Sequence, residues 1–260
     1  MQDTIVKESQ PKIGVRFDSK LEKDFGMEVR QKVNQYFEQN NISRNANSAM
    51  IMKITFFIVG LITFYTLLMT STNPWLSLVY WSFLGLFCAM AAVNISHDAI
   101  HGSLSKNKTV NKLFGNVLNL LGGNDFVWNQ THNIDHHTYT NVQGFDGDVD
   151  SVPGCRFTPS QPKKSYQRFQ HMYAFAIYGF ATFFWVFIKD YVKFFHPEKG
   201  IKNASKNRKE VIRLFAYKAL YYALFIVVPF ATLDFHWGFL VGGFLMMHFV
   251  EGMFLAIVFM

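Results

Sequence analysis

Charge is scarce in this chain. Only 17% of its 260 residues are Asp, Glu, Lys or Arg, against roughly 25% in an average soluble domain. Half are hydrophobic, and 29 are Phe. So little charge leaves too much apolar surface for water, which argues against a soluble enzyme and for a membrane protein. Cysteine is nearly absent. Cys88 and Cys155 form neither a disulfide framework nor a CxxC pair. Cys88 lies inside an apolar run and is expected as a buried thiol. The first twenty residues, MQDTIVKESQPKIGVRFDSK, hold no apolar core of the kind a cleaved secretion signal needs. There is no internal repeat and no low-complexity tract. The net charge of +7 would suit nucleic acid or anionic lipid. With this much apolar surface the expectation is lipid and no nucleic-acid partner.

The apolar residues are gathered into runs. A bilayer core takes roughly 20 residues of helix, and four stretches qualify: about 50–70, 75–95, 214–233 and 237–260. The connections STNP (71–74) and LDFHW (233–237) contain no Lys or Arg, so both hairpin tips are expected on the outer side. A fifth stretch, HMYAFAIYGFATFFWVFIKD (171–190), follows Lys163, Lys164 and Arg168 and precedes Lys193, Lys199 and Lys202, with Lys189 at its end. Basic residues on both sides predict that it lies on or dips into the inner face without crossing. LFGNVLNLLGG (113–123) reads as a short surface helix. Ahead of the spans, Phe25, Val29, Val33, Tyr36 and Phe37 recur at helical spacing within 21–40, which predicts an amphipathic helix. The expected fold is all-α and integral to the membrane: four transmembrane helices in two hairpins plus a cytoplasmic helical cap. Residues 1–48 form a cytoplasmic N-terminal region and 49–260 the membrane domain.

Five of the nine histidines fall in two short clusters. SHDAIHGS (96–103) contains His97 and His101; WNQTHNIDHHTYTN (128–141) contains His132, His136 and His137. On an α-helix, residues four apart share a face with about 6 Å of rise between them. Neutral imidazole binds Zn, Cu, Fe or Ni. One HxxxH pair is a weak signal, because paired surface or core histidines are common. Two such boxes about 35 residues apart, one doubled to HH, at the same membrane face, predict a metal centre. The zinc-protease motif HExxH needs Glu after its first His; Asp98 and Asn133 stand there instead. A structural zinc ion takes four ligands, so five imidazoles point to two ions. Ligating histidines donate their second N–H to a carboxylate or carbonyl, and Asp98, Asp135 and the loop GFDGDVD (144–150) are available. That loop fails as a calcium EF-hand, with Ser151 where Gly belongs and Phe157 where Glu belongs. In the last span His248 and Glu251 stand three apart and are expected to pair and face the bundle. His171 and His196 read as surface residues and His236 as part of an outer hairpin tip. A metal transporter would string ligands along its spans; here only His248 and Glu251 lie deep, so that class fits poorly.

With HDAIH at the end of the second span and HNIDHH beyond it, the chain resembles the membrane-bound fatty acid desaturases. HDAIHGS and WNQTHNIDHHTYTNVQGFDGD are most similar to bacterial acyl-lipid or acyl-CoA desaturases of the linoleoyl-CoA type, over roughly residues 20–260. The resemblance implies two non-haem iron ions held by His97, His101, His132, His136 and His137, which would then carry catalysis. It implies O₂ as oxidant, electrons from NAD(P)H through ferredoxin or cytochrome b5, and a cis double bond placed in a long-chain acyl-CoA or acyl-lipid. Trp128 matches an aromatic position that lines the acyl tunnel in the family; its plainer reading is a tryptophan at the membrane interface. The implied location is the bacterial inner membrane, with the N-terminus and both boxes cytoplasmic. The 48 leading residues lack the His-Pro-Gly-Gly of a fused cytochrome b5, which implies a separate electron-transfer protein. The family also has a third box, [HQ]xxHH, after the last span, whereas this sequence stops at Met260 within FLAIVFM. The expectation is a membrane domain incomplete at its C-terminus, whose five histidines do not finish a two-iron centre. The boxes alone do not separate a desaturase from a fatty acid hydroxylase or a carotenoid ketolase, and an inactive fragment is a further alternative.

Overall fold

The computed structural model describes residues 19–150, 154–196, 201 and 204–259. Lys199 and Lys202, whose charges bear on the sidedness of the fifth stretch, lie outside the described residues, as does Ser151. The chain divides into two units, Met1–Arg44 and Asn45–Met260. The first is the amphipathic helix Ser19–Gln39, which presents Phe25, Val29, Val33 and Tyr36 as an exposed stripe. A Glu28–Lys32 pair bridges one turn on its charged side. The second unit is all helix and turn among the described residues. Four of its described helices are long and apolar enough to cross a membrane: Ser48–Met69, Pro74–Ile100, Arg208–Thr232 and Trp237–Val258.

Asparagine starts most of these helices. Asn47, Asn73, Asn107, Asn124 and Asn207 each sit at an N-cap, with the side-chain oxygen accepting from a backbone N–H of the first turn. This satisfies donors that helix geometry leaves unpaired, a contribution of about 1 kcal/mol at each end. In the STNP connection Asn73 and Pro74 act together: the cap accepts from Trp75 and Leu76 N–H, and proline fills the first helical position, where no N–H is needed. The Trp75 and Phe239 rings meet edge-on at 4.9 Å, so the two hairpin tips are neighbours. The first box lies at the other end of the second span, about 40 Å away at 1.5 Å per residue.

The fifth stretch is a pair of helices, Ser165–Gly179 and Ala181–Phe195, bent by 56°. The bend falls at Gly179, which is pressed under the Phe249 ring of the fourth span. Length and composition alone would let the bent pair serve as one further span.

The spans meet through small residues, as helices in lipid do when little hydrophobic force drives them together. Glycine admits neighbours that a side chain would exclude. A Cβ on Gly85 of the second span would collide with the Met247 carbonyl of the fourth. One on Gly252 would meet the carbonyls of Tyr178 and Gly179 at 2.5 Å. Because the obstacle is backbone, it has no rotamer to escape into. Gly85→Ala is expected to cost about 1–3 kcal/mol, read as a fall in the thermal midpoint of the detergent-solubilised protein. Gly242→Ala, where a Cβ meets nothing within 4 Å, serves as the near-neutral control.

Among the described residues, four helical turns are wound as π-helix: Ala92–His97, Asn129–His136, Trp185–Lys189 and Ala223–Val227. The last precedes Pro229, which has no N–H to give and crowds the carbonyl four residues back. The Leu224 carbonyl in that turn is taken by the Tyr65 hydroxyl of the first span at 2.9 Å. Such wide turns frequently mark functional sites, and two of them carry the histidine boxes.

Candidate metal centre and its cavity

The boxes are not plain α-helix, so their histidines depart from the even four-residue spacing of one. In the first box, side chains take over carbonyls around the wide turn: Asn94 Nδ2 donates to Met90 O at 2.8 Å. The chain then tightens, with His101 N–H donating to His97 O at 3.0 Å, which keeps those two imidazoles on one side. The second box lies within its wide turn up to His136, and His137 begins the next α-helical turn, with Thr131 Oγ1 donating to Val127 O at 3.0 Å and Thr140 Oγ1 to His136 O at 2.7 Å. The His132 and His136 rings stack at 5.2 Å and 14°. Asn133, at the position where a zinc protease would carry its Glu, joins the two boxes by donating to the Ile100 carbonyl at 3.3 Å.

The five rings converge. His97, His101 and His132 each offer a ring nitrogen within 4.8 Å of the others. Ring centroids lie 5.0 Å apart for His101 and His137 and 4.8 Å for His132 and His137. His136 lies 5.6 Å from His137. Desolvation and the neighbouring imidazoles of His97, His132 and His137 push His101 down to about 4. Desolvation first, then His132, His136 and His97, also lowers His137. Both rings are therefore neutral at pH 7, the form that binds a metal.

Two carboxylates orient the rings. Asp98 Oδ1 lies 3.1 Å from His97 Nδ1. Asp146 Oδ2 lies 3.0 Å from His136 Nδ1 and also accepts the Asn141 N–H at 2.8 Å. Asp146 is fully buried, so the acidic loop sends one carboxylate inward to a ring. Asp135 accepts from Gln130 at 3.3 Å. An Nδ1 held in this way turns Nε2 toward the centre. Converging imidazoles with carboxylate supports fit a borderline transition-metal ion, and poorly fit Mg²⁺ or Ca²⁺, which take oxygen ligands.

A cavity of about 350 Å³ opens beside His132 and His136, at the low end of the range for ligand pockets. Its walls are mainly aromatic and aliphatic, among them Trp128, Tyr178, Trp185 and Leu255, with Lys189, Thr131 and Thr182 as polar members. Trp128 stacks on His132 at 4.3 Å and so stands between ring cluster and hydrocarbon wall.

His248 and His236 are used elsewhere. His248 and Glu251 face the bundle interior, 3.7 Å apart. Both nitrogens of His248 are engaged, Nδ1 with Thr182 Oγ1 at 3.1 Å and Nε2 with the Tyr221 hydroxyl at 3.0 Å, so neither faces a metal. His236 Nδ1 accepts the Gly238 N–H at the hairpin tip. Histidine spacing gives no sign of Trp185, Asp190 or Lys218. The available signal was Lys218, a lone Lys set among apolar neighbours, which a membrane helix carries only for a reason; Asp190 gives no such signal, because Lys189 stands beside it.

Fold and site together define an all-helical membrane protein with a histidine-built centre beside a hydrocarbon-lined cavity. The family model for fatty acid desaturases matches residues 73–260, and the chain belongs to that family. It is 31% identical over 208 residues to an acyl-lipid (8-3)-desaturase of Physcomitrium patens, which covers 79% of this chain and 43% of that protein. It is 30% identical over 210 residues to an sn-1 linoleoyl-lipid 6-desaturase of Arthrospira platensis, covering 80% of this chain and 57% of that one. The chain thus spans about half the length of the curated relatives it matches. No solved structure matches it.

Proposed function

We propose that this chain carries the metal-binding and acyl-binding core of an acyl-lipid desaturase, which places a cis double bond in a long chain attached to a membrane lipid. The observation that carries this reading is the placement of His132 and His136 in the wall of a largely apolar cavity, which Lys189, Thr131 and Thr182 also line. A lipid carrier is favoured over acyl-CoA because the Physcomitrium and Arthrospira relatives are acyl-lipid and linoleoyl-lipid desaturases. His97, His101, His132, His136 and His137 would hold two non-haem irons. When bound, the irons supply the O₂ chemistry needed to remove hydrogens from an unactivated chain. The protein's part is then orientation and exclusion of water. Trp128 and Trp185 confine the chain against the histidine wall, and Asp98 and Asp146 keep the imidazoles aimed. Electrons would come from NAD(P)H through a separate ferredoxin or cytochrome b5. The boxes and the N-terminus would face the cytoplasm of a bacterial inner membrane, with the bent pair 165–195 lying along that face.

The direct test supplies membranes containing the chain with reduced donor, O₂ and lipid, then maps the products. New cis double bonds support the reading; hydroxylated or keto products assign the site to another histidine-box oxidase. Asp146→Asn is expected to weaken metal binding by about 10- to 100-fold while the fold is retained, measured by competition with a chromogenic chelator.

A further inference from the structure

Two tryptophans face the cavity, and one of them is held by an unusual device. Beside the main cavity lies a smaller void of about 30 Å³, reached by Ser96, His97 and Ile100 of the first box. Three side chains line both spaces: Trp128, Trp185 and Leu255. They form a partition, with His132 and His136 on one side and His97 on the other. Trp128 is fixed against His132. Trp185 is fixed from behind. Its indole N–H donates to Asp190 Oδ1 at 2.8 Å, and Asp190 Oδ2 is paired with Lys218 Nζ at 2.8 Å. Lys218 donates its other two protons to Gly122 O at 2.6 Å and Val186 O at 2.7 Å. All three ammonium donors are thereby used.

Stability alone does not explain this arrangement. Asp190 is fully buried and Lys218 is 2% exposed. A buried ion pair is often no more stabilising than an apolar pair of the same volume. What it provides here is direction. Trp185 begins the wide turn Trp185–Lys189, the Val186 carbonyl of that turn is taken by Lys218, and the indole is locked at its one polar atom. Three elements contribute to the lock: the third span, the bent pair and the Gly122 turn.

We propose that Trp185 determines how far an acyl chain reaches past the histidines, with Asp190 and Lys218 as its positioning residues. This rests on the acyl-chain reading of the cavity. With the indole in place it stands between the two spaces. With the indole gone the two spaces join and a longer chain is accommodated. Each carbon newly admitted adds one buried methylene, worth about fourfold in affinity (about 0.8 kcal/mol).

The test measures displacement of a fluorescent polyene fatty acid from the purified full chain by saturated fatty acids of graded length. For the wild-type chain, affinity is expected to rise with length and then stop at a limit. Trp185→Ala is expected to move that limit to longer chains. Trp185→Phe, which keeps a ring and guards against a misfolded Ala variant, moves it less and in the same direction. The positioning role has its own comparison. Asp190→Leu with Lys218→Met removes the charges and the indole's acceptor and is expected to blur the limit. Asp190→Asn with Lys218→Met restores an acceptor oxygen and is expected to restore the limit, which a purely structural pair would not do. A wild-type limit left unchanged by Trp185→Phe overturns the assignment to Trp185 and leaves the acyl-binding reading standing. A wild-type chain that binds no fatty acid of any length overturns both.

Discussion

Lys218→Met alone is expected to destabilise the protein by about 3–5 kcal/mol, the largest stability effect of any single substitution considered. The variant leaves Asp190 buried without its ion-pair partner and frees the carbonyls of Gly122 and Val186. A lone buried carboxylate cannot recover its hydration without opening the packing between the third span and the bent pair. Asp190→Leu with Lys218→Met is expected to recover most of that loss, because removing both charges also removes the desolvation cost. Thermal unfolding of the single and double variants in one detergent checks this as a double-mutant cycle. Equal instability of the two would mean that the carbonyl contacts of Lys218 outweigh the charge pairing.

Metal binding should divide the histidines into two groups. His97→Ala, His101→Ala and His132→Ala are each expected to weaken it by more than the 10- to 100-fold typical of losing a supporting residue. These three place their ring nitrogens within 4.8 Å of one another, so on the proposed reading each substitution would remove a direct ligand. His248→Gln is expected to leave metal affinity unchanged and to lower stability, since both its ring nitrogens are bonded to Thr182 and Tyr221. Titration of each apo-protein with cobalt(II), followed by its visible spectrum, reads the affinities on one scale. A loss of affinity in His248→Gln equal to that in His132→Ala would merge the groups and refute the division.

Hydropathy located all four spans because a lipid-facing helix is apolar over its full length, whatever it packs against. The clustering of His97 with His101 and of His132 with His136 and His137 was equally plain, because ligands contributed by one helix are close in sequence. The wide turns had no such signal. An α-helix and a π-turn of the same residues have nearly the same hydropathy, and the extra residue per turn shows only when neighbours such as Asn94 and Thr131 take up the carbonyls. Asp146 was visible only as one acid among several in a loop, and nothing local distinguishes it from Asp148 or Asp150. Lys218 and Asp190 are 28 residues apart and meet only because the bent pair folds back onto the third span. The partition built from Trp128, Trp185 and Leu255 likewise joins residues from three separate segments. Ligands that share a helix announce themselves; a cavity wall assembled across helices does not.

On the proposed reading the two boxes build one metal centre in the wall of the acyl cavity. Iron-edge X-ray absorption on the iron-loaded chain tests it most directly, comparing wild type with the triple variant His97→Ala, His101→Ala, His132→Ala. The expected result is a coordination sphere dominated by imidazole nitrogen in the wild type and no bound iron in the triple variant. Iron retained by the triple variant, or a wild-type sphere made of carboxylate oxygen without imidazole, would contradict it.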